Sequence, residues 1–328
     1  MSRNSLIHHR LWLLMMLLVG ASAPVPVLAQ EFPAKPIRWI IPYPPGGTSD
    51  FLARLIGQKI TDSWKQIVII DNRSGANGNI GTEAAAKAPA DGYTMLLVAS
   101  TFAMNPAVYP NLPFDSEKDF AAVTIILWQP YLLSVHPSLP VKSVKELIAL
   151  AKARPGAIDY GSGGVGNAVH IAAERFAKMA GVKLNHVPYR GVGFAIPALL
   201  AGEVQLMMAS AVAVQPYVTS GKMRVLGVTG PRRVPGLPDV PTVSEAGLPG
   251  FEEGNWQAVL VPSRTPRPIV TRLNQELVRI VKTPDVSAQI LRVGADVIGN
   301  TPDDATAIVR NDLKKYGEII RALNIRPE

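Results

Sequence analysis

The chain has 328 residues, a formal charge of +8 and no cysteine. Disulfides and thiolate chemistry are thereby excluded, and the roughly 300 residues left after an N-terminal segment suffice for two domains with their own cores. Setting Arg3 and Arg10 apart leaves +6, scattered apart from Arg232-Arg233 and Lys314-Lys315 and without interleaved aromatics, so nucleic acid is not an expected partner.

At the N-terminus, Arg3, His8, His9 and Arg10 precede an apolar run from Leu11 to Val19, followed by small residues and Val27-Leu28-Ala29. This is the order of a secretory signal, expected over residues 1–29 with cleavage near Ala29. The run is shorter than the about 20 residues of an ordinary membrane span, and no later stretch is long and apolar enough to anchor the chain. An exported, soluble protein is expected.

The mature chain opens with an apolar strand at Ile37 to Ile41, the loop Tyr43-Pro44-Pro45-Gly46-Gly47-Thr48-Ser49-Asp50, and a helical run from Phe51 to Ile60. Prolines stiffen such a loop, paired glycines let backbone N–H groups approach a ligand, and the helix N-terminus favours negative charge. The stretch suits a small anion. An ordinary strand-to-helix connection capped by Thr48, Ser49 or Asp50 accounts for the same residues.

Further units follow. Ile67 to Ile70 leads through Asp71 to Asn79 into an Ala-rich helix at Ile80 to Lys87, and Met95 to Val98 is a buried strand ending at Ala99-Ser100-Thr101. Non-alternating apolar strands separated by helices predict parallel strands covered on both faces, hence an α/β chain. The long apolar run Val123 to Val135 is suited to cross between lobes. A helix over Ser143 to Ala153 is marked by Ser143 and Glu146 in capping-box order. Ile158 to Tyr160 then enters Gly161-Ser162-Gly163-Gly164-Val165-Gly166-Asn167, with a helix from Ala168 to Met179 behind it. Leu184 to Tyr189, a helix to Leu200, Val204 to Met208 ending near Ser210, and Arg224 to Val228 continue the series. Pro231 to Gly250 is loop, Trp256 to Val261 a return strand, and helices at Pro268 to Val281 and Pro302 to Leu323 close the chain.

The loop at 161–166 has the spacing G-x-G-x-x-G, but the following strand, Leu184 to Tyr189, ends without the acid that would hold a ribose. A second anion cradle is the better account. No nicotinamide or other cofactor is expected. His136, His170 and His186 lack metal-ligand spacing, no G-x-S-x-G elbow occurs, and no nucleophile or base stands out. His170, one turn into its helix, is placed either to touch a ligand or to pack.

Phe32-Pro33-Ala34-Lys35-Pro36-Ile37, Pro44-Pro45-Gly46-Gly47 with Asp50, Asn72-Arg73-Ser74-Gly75-Ala76-Asn77-Gly78 with Gly81, and Ala88-Pro89-Ala90-Asp91-Gly92-Tyr93-Thr94 together resemble the Bug family, the extracytoplasmic receptors of tripartite tricarboxylate transporters. The resemblance continues through Tyr160-Gly161-Ser162 to His170, His186 to Gly191, Leu237 to Thr242 and Thr265-Pro266. It implies a type II periplasmic-binding-protein fold, two doubly wound lobes with a ligand cleft between them: residues 30–130 and a C-terminal return at 255–328 in one, 131–254 in the other.

It further implies a periplasmic, non-enzymatic, monomeric receptor that takes a small carboxylate and hands it to membrane permease subunits. Carried onto this chain, the ligand contacts are Tyr43, Gly46, Gly47, Thr48 and Asp50 on one side, and Ser162, Gly163, Gly166, Asn167 and His170 on the other. Asn77, Ser100, Tyr189, Arg190 and Ser210, at or near strand ends, complete the set. Where many relatives have Val-Asp, this chain has Val204-Gln205, which puts selection of an amino group through that aspartate in doubt. An exported hydrolase of small carboxylate esters or amides is the alternative. The effector domain of a transcription regulator shares the fold, but here a signal segment stands where a DNA-binding helix pair would precede it.

Overall fold

The structure, a computed structural model, describes residues 32–292 and 294–326. The signal segment expected over 1–29 lies outside them. Ten strands join one curled sheet, in which eight run in the order β2-β1-β3-β9-β4-β7-β5-β6, with β8 and β10 also paired to β4. β1 (Ile37–Ile41) pairs in parallel with β2 (Val68–Asn72) and β3 (Thr94–Ala99). In a second parallel group β5 (Asp159–Ser162) lies between β6 (Asn185–Pro188) and β7 (Leu206–Ser210). The parallel reading holds within each group but not between them.

The groups share β4 (Phe120–Val135), a 16-residue strand. Its first part is antiparallel to β9 (Gly254–Pro262) and β10 (Asp296–Val297), and its last residues are antiparallel to β7 and β8 (Arg224–Val228). Thr229 knits the place where chain passes between the groups. Its hydroxyl accepts from Tyr131 N at 2.8 Å and donates to the Glu253 carbonyl at 2.6 Å, and its N–H reaches the Tyr131 carbonyl at 2.9 Å. Two crossing chains are thus tied side by side at one buried threonine.

Helices cover both faces: α1 (Thr48–Trp64), α2 (Asn79–Ala86), α3 (Thr101–Val108), α4 (Val144–Ala153), α5 (Ala168–Ala180), α6 (Val192–Ala201), α7 (Ala211–Thr219), α8 (Arg267–Val281), α9 (Pro284–Arg292) and α10 (Pro302–Leu323). α4 starts as its sequence predicts. Ser143 Oγ accepts from Glu146 N at 3.2 Å, while Glu146 reaches back to Lys142 N at 2.7 Å. α10 is capped by Thr301, carries Asp303 and Asp304 in its first turn and Arg321 in its last, which matches the helix dipole. It buries Ala305, Val309, Tyr316 and Ile320 against α3 and β4. Each large apolar side chain so buried contributes about 1.5–3 kcal/mol before entropy is counted.

α3, α7 and α9 were not expected. The first two contain Pro106 and Pro216, which remove a helical hydrogen bond and leave no regular apolar spacing to read. They are held by tertiary packing, with Phe102, Met104 and Val214 buried. β2 departs from the fully covered strands in another way: it is the edge of the sheet, and Ile67 and Ile69 beside and within it are 61% and 51% exposed. The stretch 231–250 is loop and turn, as expected, pinned by a bridge between Val228 and Thr242.

Candidate functional site

The carboxyl ends of β1, β3, β5 and β7 face a cavity of about 810 Å³ between the two strand groups. Position follows from fold: in open α/β sheets the loops leaving these strand ends form the ligand crevice. Of the fifteen residues expected to contact ligand, Tyr43, Gly46, Gly47, Thr48, Asn77, Gly163, Asn167, Tyr189, Arg190 and Ser210 line it. Arg190 is exposed, and it is the one charged side chain among the described residues of the lining.

Helix starts supply the remaining positive potential. α1 begins at Gly47, α6 at Gly191 and α7 at Ser210, and at none of the three does a side chain cap the first-turn N–H groups. All three starts line the cavity. Of the helices that start elsewhere, α4 and α10 are capped by Ser143 and Thr301, whereas α8, which follows Pro266, is not. Uncapped amides plus three helix dipoles can hold an anion without a buried cation. Gly46, at φ +87°, turns the chain into α1, and Gly191, at φ +135°, approaches Pro44 so closely that a Cβ would stand 3.2 Å from Pro44 Cγ.

Five expected contacts lie behind the wall instead: Asp50, Ser100, Ser162, Gly166 and His170. The reason in each case is a prior hydrogen bond. Asp50, 6% exposed, accepts from Gly46 N at 3.1 Å and pairs with Arg54 at 3.0 Å. Burial pushes its carboxyl up, but Arg54, the Gly46 N–H and Asn72 outweigh this and hold it below the usual carboxylate value. Ser100 gives both its N–H and its hydroxyl to Asn255 Oδ1, at 2.9 and 2.8 Å.

The second glycine loop is likewise occupied with itself. Gly164 N donates to Ser162 Oγ at 3.1 Å, Gly166 N to His170 Nδ1 at 2.9 Å, and Val169 N to Asn167 Oδ1 at 3.1 Å. The start of α5 is therefore capped, and the uncapped start opposite α1 is that of α6. Behind the loop, His170 and His186 stack with Tyr160, far apart though they are in sequence. Burial pulls both imidazoles down, His170 to about 3 with further help from His186, and His186 to about 4.

The floor was missed by sequence reasoning. Gln129 and Tyr131 of β4 and Asn255 and Gln257 of β9 line it, an uncharged polar set in strands that are mostly apolar. Polar residues recurring at a spacing of two within a buried strand are the signal that would have found them.

Comparison with known proteins agrees with this geometry. Residues 52–325 match the family model described as the tripartite tricarboxylate transporter family receptor. The chain belongs to this receptor family. The BugT protein of Bordetella pertussis is 34% identical over 303 residues, covering 92% of this chain and 93% of its own. A Rhodopseudomonas palustris protein solved with adipate is 36% identical, with a TM-score of 0.87 over 91% of this chain and all of the other. MatC from the same species, solved with bound malate, is 28% identical, with a TM-score of 0.82 over 88% of this chain and all of its own.

Across the cleft of this receptor, Thr48 donates to Ser210 Oγ at 3.1 Å and Asn167 Nδ2 to Asn77 Oδ1 at 3.3 Å, so the two walls touch through short uncharged side chains. Gln205 lies at the far end of β7, where it accepts from Asp159 N at 2.9 Å and does not line the cavity. Ser162 and His186 are 2.6 Å apart, yet Ser162 is fully buried behind the loop, which leaves no approach for an ester or amide. Among the described residues no helix is long and apolar enough to cross a membrane, and no cluster of three potential metal ligands occurs.

Proposed function

We propose that this protein is a periplasmic solute receptor that closes its two lobes on a small organic carboxylate and delivers it, as a monomer, to a tripartite tricarboxylate-type permease. The observation that carries this is the convergence of three uncapped helix starts, α1, α6 and α7, on one cavity with a single cationic side chain at its wall. Relatives solved with adipate and malate support the ligand class. Backbone N–H groups suit a carboxylate oxygen and ask little of its substituents.

The lobes are divided at 130/131 and 254/255, beside the Thr229 tie, and the hinge lies there. Residues 1–29 direct export and are removed. Anion capture at neutral pH needs no general base, which fits a binding role and not a hydrolytic one. Mass spectrometry of small molecules released from protein purified without denaturation, followed by calorimetric titration of each acid found, tests the reading. A bound, unchanged carboxylate is expected; turnover of an ester or amide, or a failure to bind any carboxylate, overturns it.

A further inference from the structure

α5 follows β5 in the second strand group, yet it is tied to the first group near both of its ends. At its start Asn167 Nδ2 donates to Asn77 Oδ1 at 3.3 Å, Ala168 N donates to Thr101 Oγ1 at 3.3 Å, and a Cβ on Gly166 would overlap Val108 of α3. Near its end Lys178 Nζ reaches the Ala322 carbonyl, in the last turn of α10, at 3.5 Å. The helix therefore spans the boundary from the cleft to the back of the molecule.

Between these points α5 is fixed to the chain that crosses back into β9. Phe176 packs edge-on to Phe251, both fully buried, with ring centroids 5.8 Å apart and planes at 89°. Beside it Arg175 Nη1 pairs with the Glu253 carboxylate and donates to the Glu252 carbonyl at 3.4 Å. Glu253 is the residue whose backbone Thr229 holds from the other crossing, and its side chain is 2% exposed. One residue thus joins the two crossings to α5. A carboxylate so deeply placed is costly without its cation, because burial strips its hydration. Burial works against the Arg175 charge as well, offset in part by Tyr316 of α10. Neither Arg175 nor Glu253 lines the cavity.

We propose that Arg175 is a positioning residue for ligand capture: through Glu253 it pins α5 to the crossing and sets the angle at which the Asn167 end of the helix meets the opposite wall. Arg175 stands eight residues beyond Asn167. That is a lever of about 12 Å, so a rotation of about 15° at the pin carries Asn167 about 3 Å away from Asn77. Such a shift parts the walls. The pair is made in the arrangement in which Asn167 and Asn77 touch, and it favours that arrangement over one in which α5 swings off the crossing and leaves Glu253 without its cation. The inference rests on the reading of the cleft as one that closes on a carboxylate.

The test removes the pair without stranding a buried charge. Arg175→Met combined with Glu253→Gln nearly keeps the volume, and replacing both partners of a buried pair is far milder than removing one. Adipate, malate, succinate and benzoate are titrated calorimetrically, and small-angle scattering is recorded without ligand and with the tightest binder. The double variant is expected to melt within a few degrees of the wild type yet bind about fivefold or more weakly, since apparent affinity falls with the population of the closed form. Its ligand-free particle should also be less compact than the wild type's. Arg175→Lys, which keeps the charge, should fall between the two and carries the test if the double variant does not melt cooperatively. A pair that served stability alone would shift the melt and leave affinity and scattering where they were. Wild-type affinity together with wild-type scattering in the folded variants overturns the inference and leaves closure on a carboxylate intact. A wild type that takes none of the four acids, or takes one without becoming more compact, overturns the closing carboxylate site and the inference with it.

Discussion

The imidazoles of His170 and His186 lie face to face, 3.9 Å between centroids and 5° from parallel, beneath the glycine loop that His170 holds through Gly166 N. Two cations cannot share that place, and Tyr160, bonded to Glu174, flanks the pair, 4.9 Å from His186 between centroids.

The first expectation is therefore a loss of stability in mild acid. The folded-state values, about 3 for His170 and about 4 for His186, lie below the ordinary 6.5, so the unfolded chain takes up protons first as pH falls. Stability should be full above about pH 7 and decline below about 6.5, with His170 contributing a slope of about 1.4 kcal/mol per pH unit. Urea midpoints at pH 7.5, 6.0 and 5.0 measure this, above the range in which carboxylates such as Asp50 protonate. His170→Asn should flatten the profile, and identical midpoints at pH 7.5 and 5.0 would refute a neutral buried stack.

Gly47 and Gly254 should separate binding from folding. A Cβ on Gly47 meets nothing within 4 Å and projects into open cavity, so Gly47→Val should melt like the wild type yet bind carboxylate at least about tenfold more weakly. A Cβ on Gly254 would overlap the Trp128 ring. Gly254→Ala should cost about 1–3 kcal/mol of stability whatever the ligand. Thermal melts beside calorimetry distinguish the two, and a Gly47→Val protein with normal affinity would remove the backbone cradle from consideration.

Asp50 should act on the loop and not on the ligand. Removing it strips Gly46 N of its acceptor and leaves Arg54 unpaired. Asp50→Ala should lower stability by about 1 kcal/mol, as loss of a helix-start acceptor does, and weaken binding only a few-fold. A hundredfold loss of affinity with an unchanged melt would mean that the carboxylate touches ligand.

The cross-cleft bonds Thr48 to Ser210 and Asn167 to Asn77 should favour the closed arrangement by small amounts. In a double-mutant cycle, Asn77→Ala and Asn167→Ala should couple by about 0.5–1.5 kcal/mol in binding energy, the usual net worth of such a bond. Scattering at ligand saturation should show a more compact particle than without ligand. Zero coupling together with an unchanged scattering profile would argue against hinge closure.

Much of this molecule is legible in the chain because its signals are local. Strands such as Ile37–Ile41 and Arg224–Val228 read as apolar runs, Ser143 and Glu146 mark a helix start, and the proline-glycine loop before α1 lies on the cavity wall as expected. Each depends on neighbours a few residues apart, where backbone sterics and capping operate. Tertiary structure alone decided which donors remain free. The glycine loop at 161–166 looks like an anion cradle in one dimension, yet Ser162 and His170 take the amides of Gly164 and Gly166, while the plain Gly191-Val192-Gly193 stays uncapped on the cavity wall. His170 on α5 finds His186 on β6 sixteen residues away because α5 packs against β5 and β7, and Gln129 finds Asn255 across 126 because β4 pairs with β9. A hydrogen-bonding group is used up or left over according to what the fold brings beside it, and that is settled by contacts distant in sequence.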